Sequence, residues 1–172
     1  MQSGIKIEIV KQLTDNYSYI IYKKNTKNAI VVDPAEAEPI IKFIKKNNLS
    51  LKGILITHHH SDHTSGINDI LKEKTIDVYS PNKKITGTTK LLKDKDILDF
   101  DFINFNIIAS PGHTLDHIVY FNKKENLLFC GDVLFYYGCG RVFEGTMKQM
   151  LDTLNKIKVL PDDTKVFCGH EY

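Results

Sequence analysis

The spacing of apolar and polar positions predicts most of the secondary structure. The chain opens on three runs rich in β-branched and aromatic residues, IKIEIV, YSYIIYK and NAIVVDP, separated by Asn, Asp and Lys. Each has strand length and turn-forming borders, which predicts a sheet in the N-terminal part. EAEPIIKFIKKNN changes period: Ile40, Ile41, Phe43 and Ile44 make a stripe with lysines outside it and Pro39 near its start, a helical pattern. LKGILITH returns as a buried strand, GINDILKEK reads as a helix and DVYS as a short strand. Further strands are predicted within ILDFDFINFNIIAS and at HIVYF, NLLFCGD and KVFCGH, with an amphipathic helix over TMKQMLDTLNKIKVL that Pro161 stops. Strand blocks alternating with covering helices predict an α/β sandwich of two sheets faced by helices, with no internal repeat or low-complexity linker.

Composition narrows the classes without choosing among them. The 172 residues are 42% hydrophobic and 26% charged with a formal charge of +2, ordinary for one globular domain and too balanced to indicate a nucleic-acid surface. A chain this long buries roughly 70% of its unfolded surface on folding. The lysines are dispersed, and runs such as Lys45-Lys46 and Lys83-Lys84 read as solubilising surface. Cys130, Cys139 and Cys168 are an odd number without CxxC spacing, and the N-terminus has no apolar leader. No run approaches the roughly 18 apolar residues of a membrane span. The expectation is a monomeric cytoplasmic chain, or one of an organelle matrix if a targeting peptide has been removed. It would act on a small molecule and engage neither membrane nor nucleic acid.

Candidate chemistry sharpens this picture. All seven histidines, at 58, 59, 60, 63, 113, 117 and 170, lie at or just beyond the end of an apolar run, and four of them share HHHSDH with Asp62. If the chain leaves its strand extended, side chains 58 and 60 point to one side and His59 to the other, so His58 and His60 suit one cation. After Ser61 the chain turns toward a helix, which aims Asp62 and His63 at a second cation. His113 follows a Pro-Gly turn in SPGHTLDH, and Asp132 ends the strand of LFCGDVLF, where a carboxylate would bridge both cations. His170 follows a strand and a glycine in VFCGHEY. Taken singly, these three have plainer readings as a turn cap, a helix cap and a frayed tail. Imidazoles with carboxylates suit zinc, iron or manganese rather than calcium. Cys139 lacks a free histidine to activate it and reads as a packing residue.

In chain order, VVDP, THHHSDH, SPGHT, CGD and CGHEY resemble the metallo-β-lactamase superfamily, and GDVLFYYGCGRVFEGT followed by GHEY is similar to its glyoxalase II family, over nearly the whole chain. The resemblance implies an αββα sandwich of two mixed sheets flanked by helices, one catalytic domain over residues 1–172, and hydrolysis of S-D-lactoylglutathione to D-lactate and glutathione. Position by position it assigns His58, His60 and His113 to one divalent metal and Asp62, His63 and His170 to a second, with Asp132 bridging. It makes Asp62 and Asp132 the catalytic carboxylates and puts Asp33 outside the ligand set, holding the histidine loop through backbone hydrogen bonds. The metals are expected to be two zinc ions, with iron or manganese as substitutes, and His59 and His117 stay outside both sets.

The resemblance also implies that Arg141, Phe143 and Tyr172 contact the glutathione thioester, with Phe143 standing where the family often has tyrosine. Family members continue past GHEY into a helical region that supplies further basic residues, whereas this sequence stops at Tyr172, so that region is expected to be absent. Three other readings remain open on the sequence. A persulfide dioxygenase of the same fold would hold one iron. A phosphodiester nuclease would need a basic groove that dispersed lysines do not promise. A metal-binding domain with impaired substrate binding would hold metal without turnover.

Overall fold

The computed structural model describes residues 4–172; residues 1–3, part of the N-terminus read as carrying no leader, lie outside it. One sheet runs in the order β1 (Ile5–Gln12), β2 (Asn16–Lys23), β3 (Asn28–Val32), β4 (Ser50–Leu55), β5 (Asp77–Ser80), β6 (Lys90–Leu91). Its first three strands pair antiparallel and β3 through β6 pair parallel. The other sheet runs β11 (Lys165–Cys168), β10 (Leu127–Gly131), β9 (Ile118–Asn122), β8 (Asn104–Ala109), β7 (Ile97–Asp99), with only β10 and β11 parallel. Helices α1 (Ala37–Lys46) and α3 (Ile67–Glu73) cover the first sheet, α4 (Met147–Lys158) covers the second, and α2 (Ser61–Thr64) is a single turn. The architecture is the expected αββα sandwich of two mixed sheets. α2 and β6 have no counterpart in the apolar pattern, because one helical turn is too short to show a period and both residues of β6 are exposed.

The strand sequences read as continuous apolar runs because both faces of each sheet are covered. Tyr19 and Ile21 of β2, Ile30 and Val32 of β3, and Phe129 of β10 enter the layer between the sheets, where Ile118 and Tyr120 of β9 meet them. The alternate residues Ile20, Ala29 and Val31 face Ile40 of α1 and Ile67 and Ile70 of α3. On the other side Val119, Phe121 and Leu128 face Met150, Leu154 and Ile157 of α4. That helix starts where Thr146 and Gln149 form a reciprocal capping box, which satisfies two of its free amides.

This topology puts the chemistry on one edge. The ends of β3, β4, β8, β10 and β11 deliver Asp33, the histidine loop, His113, Asp132 and His170 in turn. A backbone hydrogen bond from Ile118 N to Thr57 O, 2.9 Å, ties the two sheets together at that edge. No helix among the described residues is long and apolar enough to cross a membrane.

Candidate metal centre

β4 ends at Leu55, and Thr57 and His58 lie in a bend rather than a continued strand. The alternation of an extended chain therefore does not set the histidines, although the bend reaches the same outcome. His58 Nε2 lies 3.1 Å from His60 Nδ1, while His59 faces Asp116 and Glu144 instead. His113 Nε2 completes a first trio, 3.1 Å from His60 Nδ1. Asp62 and His63 on α2 form a second trio with His170, whose Nε2 lies 3.3 Å from Asp62 Oδ2 and 3.4 Å from His63 Nε2. The donor atoms of each trio lie within 4.8 Å of one another. Asp132 touches both: Oδ2 is 3.2 Å from His113 Nε2 and 3.3 Å from His170 Nε2, and Oδ1 is 3.3 Å from His63 Nε2.

The outer nitrogens decide which lone pairs face inward. His113 Nδ1 donates to Arg141 O at 2.7 Å, His63 Nδ1 faces Asp33 Oδ2 at 3.0 Å and His170 Nδ1 faces Asp15 Oδ1 at 3.0 Å. Thr57 Oγ1 spends its one proton on Asp33 Oδ2 at 2.6 Å, so at 2.9 Å it accepts from His58 Nδ1. In the neutral rings, four Nε2 lone pairs therefore converge. Asp132 Oδ1 is buried beside them and accepts no hydrogen bond. Buried acceptors without a donor are costly unless something binds them, and a divalent transition cation suits nitrogen and carboxylate donors of this kind. The residues fit such a cation.

Without it, protons stand in. Burial opposes charge on His63 and His170, but Asp132 with Asp33 in one case, and Asp132 with Asp62 and Asp15 in the other, outweigh it and push them up to about 10 and about 11. Burial likewise opposes the charge on Asp132, yet the His170 and His63 rings hold its carboxyl well below the usual range. The His170 hydrogen bond does the same for Asp62. His58, buried beside His63 and His117, is pushed far down and stays neutral.

Asp33 does hold the histidine loop, accepting from Thr57 N at 2.8 Å, and it additionally orients His63. Four other residues with supporting contacts escaped the sequence reading. Thr57 relays Asp33 to His58. His117 Nε2 accepts from Asp132 N at 3.2 Å, and Asp15 in the turn after β1 and Asn16 at the start of β2 reach His170 and Asp62. The only signal for that turn is an Asp-Asn pair between two strands, which local chemistry explains by itself. Gly169 is required by close approach, because a side chain there would run into the Asp132 carboxylate and the His63 ring.

The cluster floors an open cleft of about 780 Å³ whose wall carries Phe135, Tyr137, Arg141, Phe143 and Tyr172. All three residues expected to contact substrate therefore line it. Tyr172 stacks on His170 with ring centroids 5.4 Å apart, and Phe143 stands edge-on to His113 at 5.3 Å. Cys139 lines the same cleft and is exposed, so it does not pack in the core as expected.

Fold and site together define an αββα domain with a two-part cluster of histidine and carboxylate donors at its strand ends, of a kind that could hold metal. The chain belongs to the metallo-beta-lactamase superfamily, whose family model matches residues 13–170. It is 47% identical over 170 residues to the hydroxyacylglutathione hydrolase of Pseudoalteromonas translucida, covering 98% of this chain and 65% of that protein. It is 46% identical over 172 residues to the hydroxyacylglutathione hydrolase of Pelagibacter ubique, covering 98% of this chain and 72% of that one. The chain thus spans about two thirds of the length of these curated relatives. Among solved structures, the BLEG-1 B3 metallo-beta-lactamase superposes with a TM-score of 0.86 at 28% identity, covering 98% of this chain and 92% of that one.

Proposed function

We propose that this chain is a thioester hydrolase that holds two divalent metals, zinc with iron or manganese as substitutes, and cleaves S-2-hydroxyacylglutathiones such as S-D-lactoylglutathione. The observation that carries the reading is the Asp132 carboxylate, shared by two donor trios beneath a cleft whose wall bears Arg141. The names of the curated relatives support the substrate class. His58, His60 and His113 would hold one cation, Asp62, His63 and His170 the other, and Asp132 both. A cation pair supplies Lewis acidity and makes bound water acidic near neutral pH.

The chain's own residues do the rest. Arg141 pairs with a glutathione carboxylate, for which a planar guanidinium is suited. Phe135, Phe143 and Tyr172 wall the cleft and offer the substrate an aromatic surface to rest on. Asp62, half-buried and lining the cleft, would orient the attacking water by accepting one of its O–H groups, with Asn16 Nδ2 fixing its Oδ2 at 3.0 Å. The water oxygen bonds to the acyl carbon as the carbon–sulfur bond breaks, and a proton ends on the departing thiolate. Three free thiols suit the reducing cytoplasm.

The test is turnover of S-D-lactoylglutathione by zinc-loaded protein, followed by loss of thioester absorbance. Hydrolysis that disappears on chelation is expected. No turnover with two metals bound contradicts the reading, and one iron per chain with oxygen consumption would replace it with the dioxygenase.

A further inference from the structure

We infer that His59, Asp116 and Glu144 form a brace that positions the Arg141–Phe143 loop over the donor cluster, making His59 and Glu144 positioning residues for substrate binding. His59 lies between two of the clustered histidines, yet both of its ring nitrogens face outward partners. Nδ1 is 3.0 Å from both oxygens of Asp116, and Nε2 is 3.2 Å from Glu144 Oε1. Each carboxylate is anchored in turn. Thr114 Oγ1 donates to Asp116 at 2.6 Å and Asn82 Nδ2 at 3.1 Å, while Leu115 N donates to Glu144 Oε2 at 2.8 Å.

One imidazole thereby joins three separate segments: the histidine loop, the turn from His113 to Asp116, and the loop that carries Arg141 and Phe143. That last loop has little core of its own. Arg141 is exposed, and Phe143 is 62% exposed. Besides the edge-on contact of Phe143 with the His113 ring, its other ties to the turn are polar: Phe143 N donates to His113 O at 3.2 Å, Gly145 N to Gly112 O at 3.1 Å, and His113 Nδ1 to Arg141 O at 2.7 Å. A surface loop held by few apolar contacts opens easily, so each polar tie counts toward its position. Phe143 meets the His113 and His60 rings edge-on, and Glu144 adds the polar side-chain contacts to both the turn and the histidine loop. The same three side chains also have the composition of a cation site. However, Thr114, Asn82 and the Leu115 amide already fix the two carboxylates where His59 meets them, so the set is held as a brace without a cation.

The kinetic arm of the test rests on the hydrolase reading, and a hydrogen-exchange arm does not. In His59→Ala and Glu144→Ala, amides of residues 141–145 should exchange about tenfold faster or more, while those of β9 and β10 stay unchanged. KM for S-D-lactoylglutathione should rise by about 5- to 30-fold, with metal content and kcat on a small uncharged thioester retained. Glu144→Gln, which keeps an acceptor for Leu115 N, should recover much of the loss, and the double alanine variant should be little worse than either single one. Unchanged loop exchange would overturn the brace, as would exchange raised throughout the sheets. A third bound zinc in the wild-type protein, absent from His59→Ala, would overturn it in favour of a cation site. If the wild-type protein, with both metals bound, hydrolyses no glutathione thioester, the hydrolase reading fails while the exchange result still judges the brace.

Discussion

Asp15 Oδ1 lies 3.0 Å from His170 Nδ1, joining residues 155 positions apart at the meeting of the two sheets. The backbone closes around the same contact. Tyr17 N donates to Gly169 O at 2.8 Å, Glu171 N donates to Asp15 O at 3.1 Å, and the Tyr17 hydroxyl bonds the Glu171 carboxylate. With Asn16 on Asp62, the junction of β1 and β2 supports two of the three donors of the second trio. The first trio leans instead on the buried Thr57 and on the carbonyl of Arg141. Asp33, which meets Thr57 and His63 alike, serves both trios, whereas the Asp15 contact serves only the second.

Asp15→Ala should weaken the second metal by about 10- to 100-fold, the usual cost of removing the partner behind a histidine ligand, and leave the first metal in place. Asp15→Asn keeps an acceptor oxygen and should recover part of the loss. Chelator competition resolves the two affinities, and equal weakening of both metals would show that the halves are not separately supported.

Asp132→Asn should lose metal and lower kcat by roughly three orders of magnitude or more, because an amide brings no negative charge between two dications. His59→Ala should keep its metal. Elemental analysis of both variants checks this, and similar metal loss in the two would contradict the ligand assignment.

How much of this was legible follows from what each feature needs. Most of the strands were legible as apolar runs, since covering both sheet faces makes every residue of β9 and β10 apolar or buried, while the exposed β6 was not. The seven converging donors were legible because histidines and aspartates crowd where apolar runs end, a pattern that surface chemistry alone does not produce. The roles of Asp15, Thr57 and His117 were not legible. Each comes from a contact that exists only after distant segments meet, as between Asp15 and His170, or from a hydroxyl whose single proton is committed elsewhere, as in Thr57. The placing of His58 and His60 on one side was foreseen by strand alternation, whereas the chain achieves it by a bend.

Metal binding should release protons. In the metal-free chain His63 and His170 are raised to about 10 and about 11 from an ordinary histidine value. Their protons therefore stabilise the metal-free fold fully below about pH 6.5, and that contribution fades as pH rises through 10 to 11. A metal must displace them, so affinity should climb with pH through the neutral range, with about two protons released per chain at pH 7.5. Calorimetry in buffers of different ionisation enthalpy measures the release, and a value near zero would contradict the arrangement of charges.

Arg141→Ala should raise KM for the glutathione thioester by roughly tenfold to a hundredfold, the worth of a charge-assisted hydrogen bond of about 1.5–3 kcal/mol. A small uncharged thioester should be cleaved as before. Steady-state kinetics on the two substrates separates the effects, and an equal loss on both would place Arg141 in support of the cluster rather than in contact with substrate.

The central claim is that the two trios and Asp132 hold a pair of cations. Elemental analysis of protein refolded with excess zinc or iron and freed of loose metal by gel filtration tests it most directly. The account predicts close to two metal ions per chain, falling toward one in Asp15→Ala. A robust stoichiometry of one in the unaltered chain would contradict it.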